Sequence, residues 1–221
     1  MTLASNRLTR RTLAQAAAVT LGLALFSAAS AETAPPKSDS SVDMAKVLQP
    51  GPLPELSVGD AAGIPVIEYG SVTCSHCAHF SKDIWPAFKT AFVDTGKVRY
   101  IFREYSRNNL DVAAFMLARC VGEDKVFPTI ELLFAEQDKW AFVDKPLDGL
   151  TTALRPTGMT RDKIETCLKD QKMADAVAQI GKTADATVKI SGTPTFVIDG
   201  KVYGGALSID ELSAILKPLI K

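Results

Sequence analysis

Histidine is scarce in this 221-residue chain, which holds two, and cysteine is nearly so, with four. Cys74, His76, Cys77 and His79 stand together, but no second Cys or His cluster supplies the rest of a closed zinc shell, so no metal is expected. A c-type haem needs histidine directly after a Cys-x-x-Cys pair, and Ala78 occupies that place. An excess of one charge is missing too: 25 Lys and Arg balance 25 Asp and Glu, so no basic face argues for nucleic acid. The apolar run from Ala16 to Phe26 is about half the ~20 residues of a membrane-spanning helix. An apolar content of 47% excludes a disordered chain and suffices for one well-buried core.

What is present begins with an export signature. Arg7, Arg10 and Arg11 precede the apolar run, no acid stands among them, and Ala29, Ser30 and Ala31 form a small-residue cleavage site before Glu32. Residues 1–31 therefore read as a secretory signal peptide. Thr9 to Leu13 is similar to a twin-arginine signal, with Leu13 where that pattern favours Phe and no following Lys; paired arginines are equally ordinary in a Sec signal. Cleavage leaves acidic residues three in excess. Export, expected to be to the periplasm, places the thiols where disulfides persist.

Residues 32–48, with Pro35, Pro36, Ser38, Ser40 and Ser41, show no helical or strand period and read as a flexible segment. A short strand is expected near Leu56 to Val58 and a buried one over Pro65 to Tyr69. Cys74 to Cys77 follows at once, then a helix with Phe80, Ile84, Phe88 and Phe92 recurring every four residues, which Pro86 should kink or divide. Lys97 to Arg103 closes a β-α-β unit. Residues 107–187 contain only helical patterns, one starting near Asn108, others at Pro128, after Pro146 and at Thr160, and a fifth carrying Met173, Val177 and Ile180. Thr195 to Tyr203 is a hairpin around Asp199-Gly200, and Ser208 with Glu211 opens a final helix by a capping box. The expected fold class is α/β: β-α-β plus β-β-α over 49–106 and 188–221, with 107–187 an all-helical inserted domain.

A Cys-x-x-Cys at a strand-to-helix junction is a reaction site for a physical reason. Free N–H groups and the helix dipole favour an anion at the helix mouth, so Cys74 should be a stabilised thiolate. Cys77, one turn on, can attack a mixed disulfide formed by Cys74. His76 can donate to the Cys74 sulfur or sit exposed in the loop, while His79 reads as a helix-surface histidine. A purely structural Cys74–Cys77 bridge would close a tiny loop and stabilise weakly.

The block from Glu68 to Cys77, the later Gly192, Thr193, Pro194 and Thr195 before a strand, and the sheet interrupted by helices together resemble the DsbA-like branch of the thioredoxin superfamily, over about residues 50–221. The resemblance implies a thiol:disulfide oxidoreductase without a cofactor, with Cys74 as nucleophile and Cys77 as resolving cysteine. It implies a cis Pro194 against Cys74 and a Thr193 backbone open to extended substrate peptides. Glu68 falls where the family has a buried acid beneath the resolving cysteine, able to relay its proton. Relatives commonly carry Pro-His between the cysteines; Ser75-His76 here leaves the oxidising strength to measurement. The implied partners are reduced exported polypeptides and a DsbB-type membrane quinone oxidoreductase; the short segment before Pro50 favours a monomeric oxidase over an isomerase. Cys120 and Cys167, both on expected helices, would close a loop of about 48 residues as a structural disulfide, or remain two buried thiols.

Overall fold

A computed structural model describes residues 34–220, so the expected signal peptide lies outside the described residues. The strands are β1 (Ser40–Ser41), β2 (Leu56–Val58), β3 (Ile64–Gly70), β4 (Val98–Glu104), β5 (Thr195–Ile198) and β6 (Lys201–Gly204). They form one sheet in the order β1-β6-β5-β3-β4-β2, in which β3 and β4 pair in parallel and the other neighbours are antiparallel. Strand alternation gives β3 two working faces. Val66 joins the main core, while Ile67 and Tyr69 join a smaller one on the opposite side. Glu68 thus shares the face of Val66, the face on which the helix after Cys74 lies.

That helix runs from α2 (Ser75–His79) through α3 (Trp85–Phe88), with wide π turns at Phe80–Ile84 and Lys89–Val93. Pro86 stands in the first turn of α3, directly after the wide turn, so the regular α ladder is divided there while the chain stays helical. The N–H of Trp85 reaches back five residues to the Phe80 carbonyl, so the ladder widens just where the proline would interrupt it. Phe80, Phe88 and Phe92 are buried as the four-residue spacing requires.

Between β4 and β5 come α4 (Asn109–Cys120), α5 (Val126–Ala135), α6 (Gln137–Trp140), α7 (Pro146–Ala153), α8 (Arg161–Leu168) and α9 (Gln171–Thr187). These helices share the sheet's core instead of building one apart: Phe102 of β4 packs on Phe115 and Phe134 with ring centroids 6.2 and 6.1 Å away. α9 returns to cover the other face, where Ala184 meets the core of Ile67 and Ile101. α5 starts at Val126, two residues before the expected start at Pro128, and the proline falls in its first turn, where its N–H would be free anyway. Asp199 and Gly200 both have positive φ, 47° and 73°, as a type I′ hairpin turn demands. The Ser208–Glu211 capping box opens α10 (Ile209–Leu216).

The expectation of a flexible segment over 32–48 is corrected for the residues described. β1 adds to the sheet edge beside β6, with Asp39 N–H to Val202 O at 2.8 Å and Val42 N–H to Gly200 O at 2.7 Å. A one-turn helix α1 (Met44–Val47), capped by Asp43, follows and seats Val47 in the smaller core at 2% exposure. Backbone pairing, not an apolar pattern, orders the segment.

Candidate active site

β3 ends at Gly70 and the loop Ser71–Thr73 turns the chain into α2, whose N-cap is Cys74. The loop is held from two sides. Buried Asp111, in the first turn of α4, accepts hydrogen bonds from the Ser71 hydroxyl (2.9 Å), the Thr73 N–H (2.9 Å), the Thr73 hydroxyl (3.1 Å) and the Arg107 N–H (2.9 Å). Buried Gln137, at the start of α6, donates its side-chain amide to the carbonyls of Val72 (2.7 Å) and Cys74 (3.0 Å). Neither residue carried a sequence signal, since each lies tens of positions from the loop it holds and its neighbours show no motif.

The two cysteines are made unequal by this frame. The Cys74 thiol falls from 9.0 to about 4, chiefly because the Cys77 thiol donates to it, then through the Thr193 hydroxyl and the main-chain N–H groups of Cys77 and His76, against the opposing effect of burial. Cys77 is fully buried and is pushed well above the ordinary thiol range by burial, by its bond to Cys74 and by the charge of Glu68. Glu68 is 1% exposed and rises from 4.5 to about 8, mainly through burial, with the Tyr100 hydroxyl donating to its Oε2 and opposing the rise. Glu68 is thus a buried acid, as the resemblance implied.

Across the sheet, the Thr193–Pro194 peptide bond is cis, and the Thr193 carbonyl oxygen lies 3.2 Å from Cys74 Sγ. The Thr193 hydroxyl is buried and makes no conventional hydrogen bond, which leaves the sulfur as the group whose charge it favours. His76 is exposed, and its main chain rather than its imidazole supports Cys74. His79 is a surface residue whose Nδ1 lies 2.7 Å from Asp83 Oδ2. Cys120, ending α4, and Cys167, in α8, are joined by a disulfide across a separation of 47 residues. Among the described residues no cluster of three or more His, Cys, Asp or Glu is placed to hold a metal ion.

Comparison with known proteins agrees with this arrangement. The thioredoxin family model matches residues 54–218. A Rickettsia bellii chain, provisionally named a protein-disulfide oxidoreductase, is 33% identical over 159 residues, covering 72% of this chain and 61% of that one. This chain therefore spans less than two thirds of that relative's length. Disulfide bond formation protein D of Bacillus subtilis is 26% identical over 171 residues, covering 73% of this chain and 75% of its own. Among solved structures, alpha-DsbA1 of Wolbachia pipientis superimposes with a TM-score of 0.71 at 26% identity, covering 79% of this chain and 94% of that one. The chain belongs to the thioredoxin superfamily, as a DsbA-like member.

Proposed function

We propose that this protein is a periplasmic thiol:disulfide oxidoreductase that works as a dithiol oxidase on reduced exported polypeptides. The observation that carries the reading is the split between the two thiols. Cys74 is held as a thiolate at about 4 while buried Cys77 is held protonated. Stabilising that thiolate stabilises the reduced pair, which makes the oxidised pair the stronger oxidant.

A substrate thiolate attacks Cys74 Sγ of the oxidised pair, forming a mixed disulfide and expelling Cys77 as a thiolate. Buried Cys77 is a poor anion, so Glu68, whose burial holds its carboxyl protonated well above the usual carboxylate range, hands it a proton. A second substrate thiolate then attacks the substrate sulfur of the mixed disulfide and releases Cys74, the better leaving group of the two. The Thr193–Pro194 edge offers main-chain groups to an extended peptide, so clients are taken by backbone and not by sequence. A DsbB-type membrane quinone oxidoreductase returns the pair to the disulfide, and the enzyme acts as a monomer exported by the Sec or twin-arginine route.

The deciding measurement is the equilibrium of the Cys74/Cys77 couple against glutathione, with the cellular redox state trapped by alkylation. An oxidase lies far toward the dithiol in glutathione and is disulfide-bonded in the cell. A couple kept reduced in the cell would make the protein a reductase or isomerase instead. Cys74→Ser abolishes transfer and Cys77→Ser accumulates mixed disulfides; a fully active Cys74→Ser protein would end the proposal.

A further inference from the structure

Glu68 is sealed from solvent, yet the proposed exchange asks it to give up a proton at every turnover and take one back. A cavity of about 10 Å³, room for one water, is lined by Glu68, Ser81, Trp85, Tyr100, Phe127 and Glu131 among others, and neither cysteine lines it. Its walls are aromatic: the Trp85 ring lies 4.3 Å from Tyr100 and 5.6 Å from Phe127, centroid to centroid.

Glu131, on α5, is partly buried, and Glu131 Oε1 accepts the Trp85 indole N–H at 2.7 Å. The same residue lines an open groove of about 420 Å³ outside, beside Lys89, Arg119, Glu123 and Asp124. Phe127 and Glu131 are the residues common to cavity and groove, and only Glu131 of the two carries a polar group. Glu131 therefore lines both the small cavity that reaches Glu68 and the groove open to water.

We infer that Glu131 is the outer station of a proton path that refills Glu68 from solvent through the single-water cavity and the Tyr100 hydroxyl. The inference rests on the redox reading above. As Cys77 leaves as a thiolate, the Glu68 proton passes to its sulfur in concert with one that Glu68 takes up from the cavity and one that Glu131 passes inward from the groove. Charge balances, since one solvent proton enters for the one that Cys77 keeps. Burial keeps the Glu68 proton in place well above the usual carboxylate range, and Tyr100, raised well above its ordinary value by burial and by the carboxylates, stays a hydroxyl. The groups facing Glu68 are Tyr100, Cys77 and Cys74, and Tyr100 also feels the charge of Glu131. Glu131 is a positioning and relay residue, not one that touches substrate.

The test is single-turnover reduction of the oxidised full chain by a dithiol peptide, acid-quenched and alkylated, across pH. Glu131→Gln keeps an oxygen for the Trp85 indole but cannot carry the proton. It should slow formation of the stable mixed disulfide about tenfold, less than a direct general acid contributes, while the Cys74 titration stays put. Imidazole or acetate added to this variant should restore the rate, which a structural role would not allow. Glu123→Gln, altering the same groove away from the path, should behave as the unmodified protein. In the unmodified protein, rate should vary with solvent deuterium fraction along a curve, because more than one proton moves. An unchanged rate and pH profile for Glu131→Gln, alongside a slowed Glu68→Gln, would overturn the path, as would a linear deuterium dependence. Absence of exchange in the unmodified protein would instead remove the redox reading itself.

Discussion

Cys74 Sγ lies 3.2 Å from the carbonyl oxygen of Thr193, a contact that closes 119 residues of chain. The reactive sulfur is thereby lodged between a helix mouth that favours its charge and a strand edge that presents main-chain groups. Thr193 also tunes the sulfur by its side chain, since the buried hydroxyl lowers the Cys74 pKa. Thr193→Val keeps the branched shape and removes that donor. The Cys74 titration, followed by thiolate ultraviolet absorbance, should move up from about 4 by less than the roughly one pH unit that a full hydrogen bond to a charged group is worth, because the hydroxyl makes no conventional bond. Oxidising power should fall with it. An unmoved titration would show that the hydroxyl contributes nothing.

Asp111 organises the loop before Cys74 through four donors from residues 71, 73 and 107. Asp111→Ala leaves these groups without their acceptor in a buried setting, at a cost of about 3 kcal/mol. Urea unfolding should show that loss, and the Cys74 titration should shift because its loop is no longer fixed. Asp111→Asn, which keeps an acceptor oxygen, should lose less. Equal stability of all three proteins would mean that the network holds nothing.

The sequence made the sheet legible where apolar residues alternate or run together, as in Val66 to Tyr69, and where turn chemistry is strict, as at Asp199-Gly200. It made the redox pair legible because Cys74 and Cys77 are neighbours in the chain. β1 was invisible because exposed Ser40 and Ser41 enter the sheet by main-chain bonds alone, with Asp39 accepting from the Gly204 N–H at 2.7 Å. Asp111 and Gln137 were invisible for a related reason. A polar residue at a helix start reads as a surface cap, and only the folded chain shows that it faces a loop about 40 or 65 residues away. α6 is one turn long, too short to show a period.

The Cys120–Cys167 bridge ties α4 to α8 across a separation of 47 residues, and the chain-entropy estimate for such a loop is roughly 4 kcal/mol. Replacing both cysteines with alanine should lower the thermal midpoint markedly while leaving the Cys74 titration where it is, because the bridge does not touch the reactive pair. Calorimetry and absorbance check the two halves separately. A double variant of unchanged midpoint would show that the bridge adds no stability.

Reduced and oxidised protein should differ in how stability depends on pH, and Glu68 sets the difference. Its carboxyl rises from 4.5 to about 8 on folding, so unfolding releases a proton between those values and stability falls as pH rises through that window. Cys74 moves the other way, from 9.0 to about 4, so unfolding of the reduced form takes up a proton and stability rises with pH between them. Each acts at about 1.4 kcal/mol per pH unit, and in the reduced form the two slopes nearly cancel from about pH 5 to about pH 8. The oxidised form has no thiolate, so it keeps only the falling slope, over a narrower window because the Cys74 charge no longer raises Glu68. Glu68→Gln should therefore flatten the oxidised profile and turn the reduced one into a steady climb. Urea midpoints of the four species against pH measure this directly. If the oxidised profile keeps its slope without the carboxyl, the buried acid lies somewhere other than Glu68.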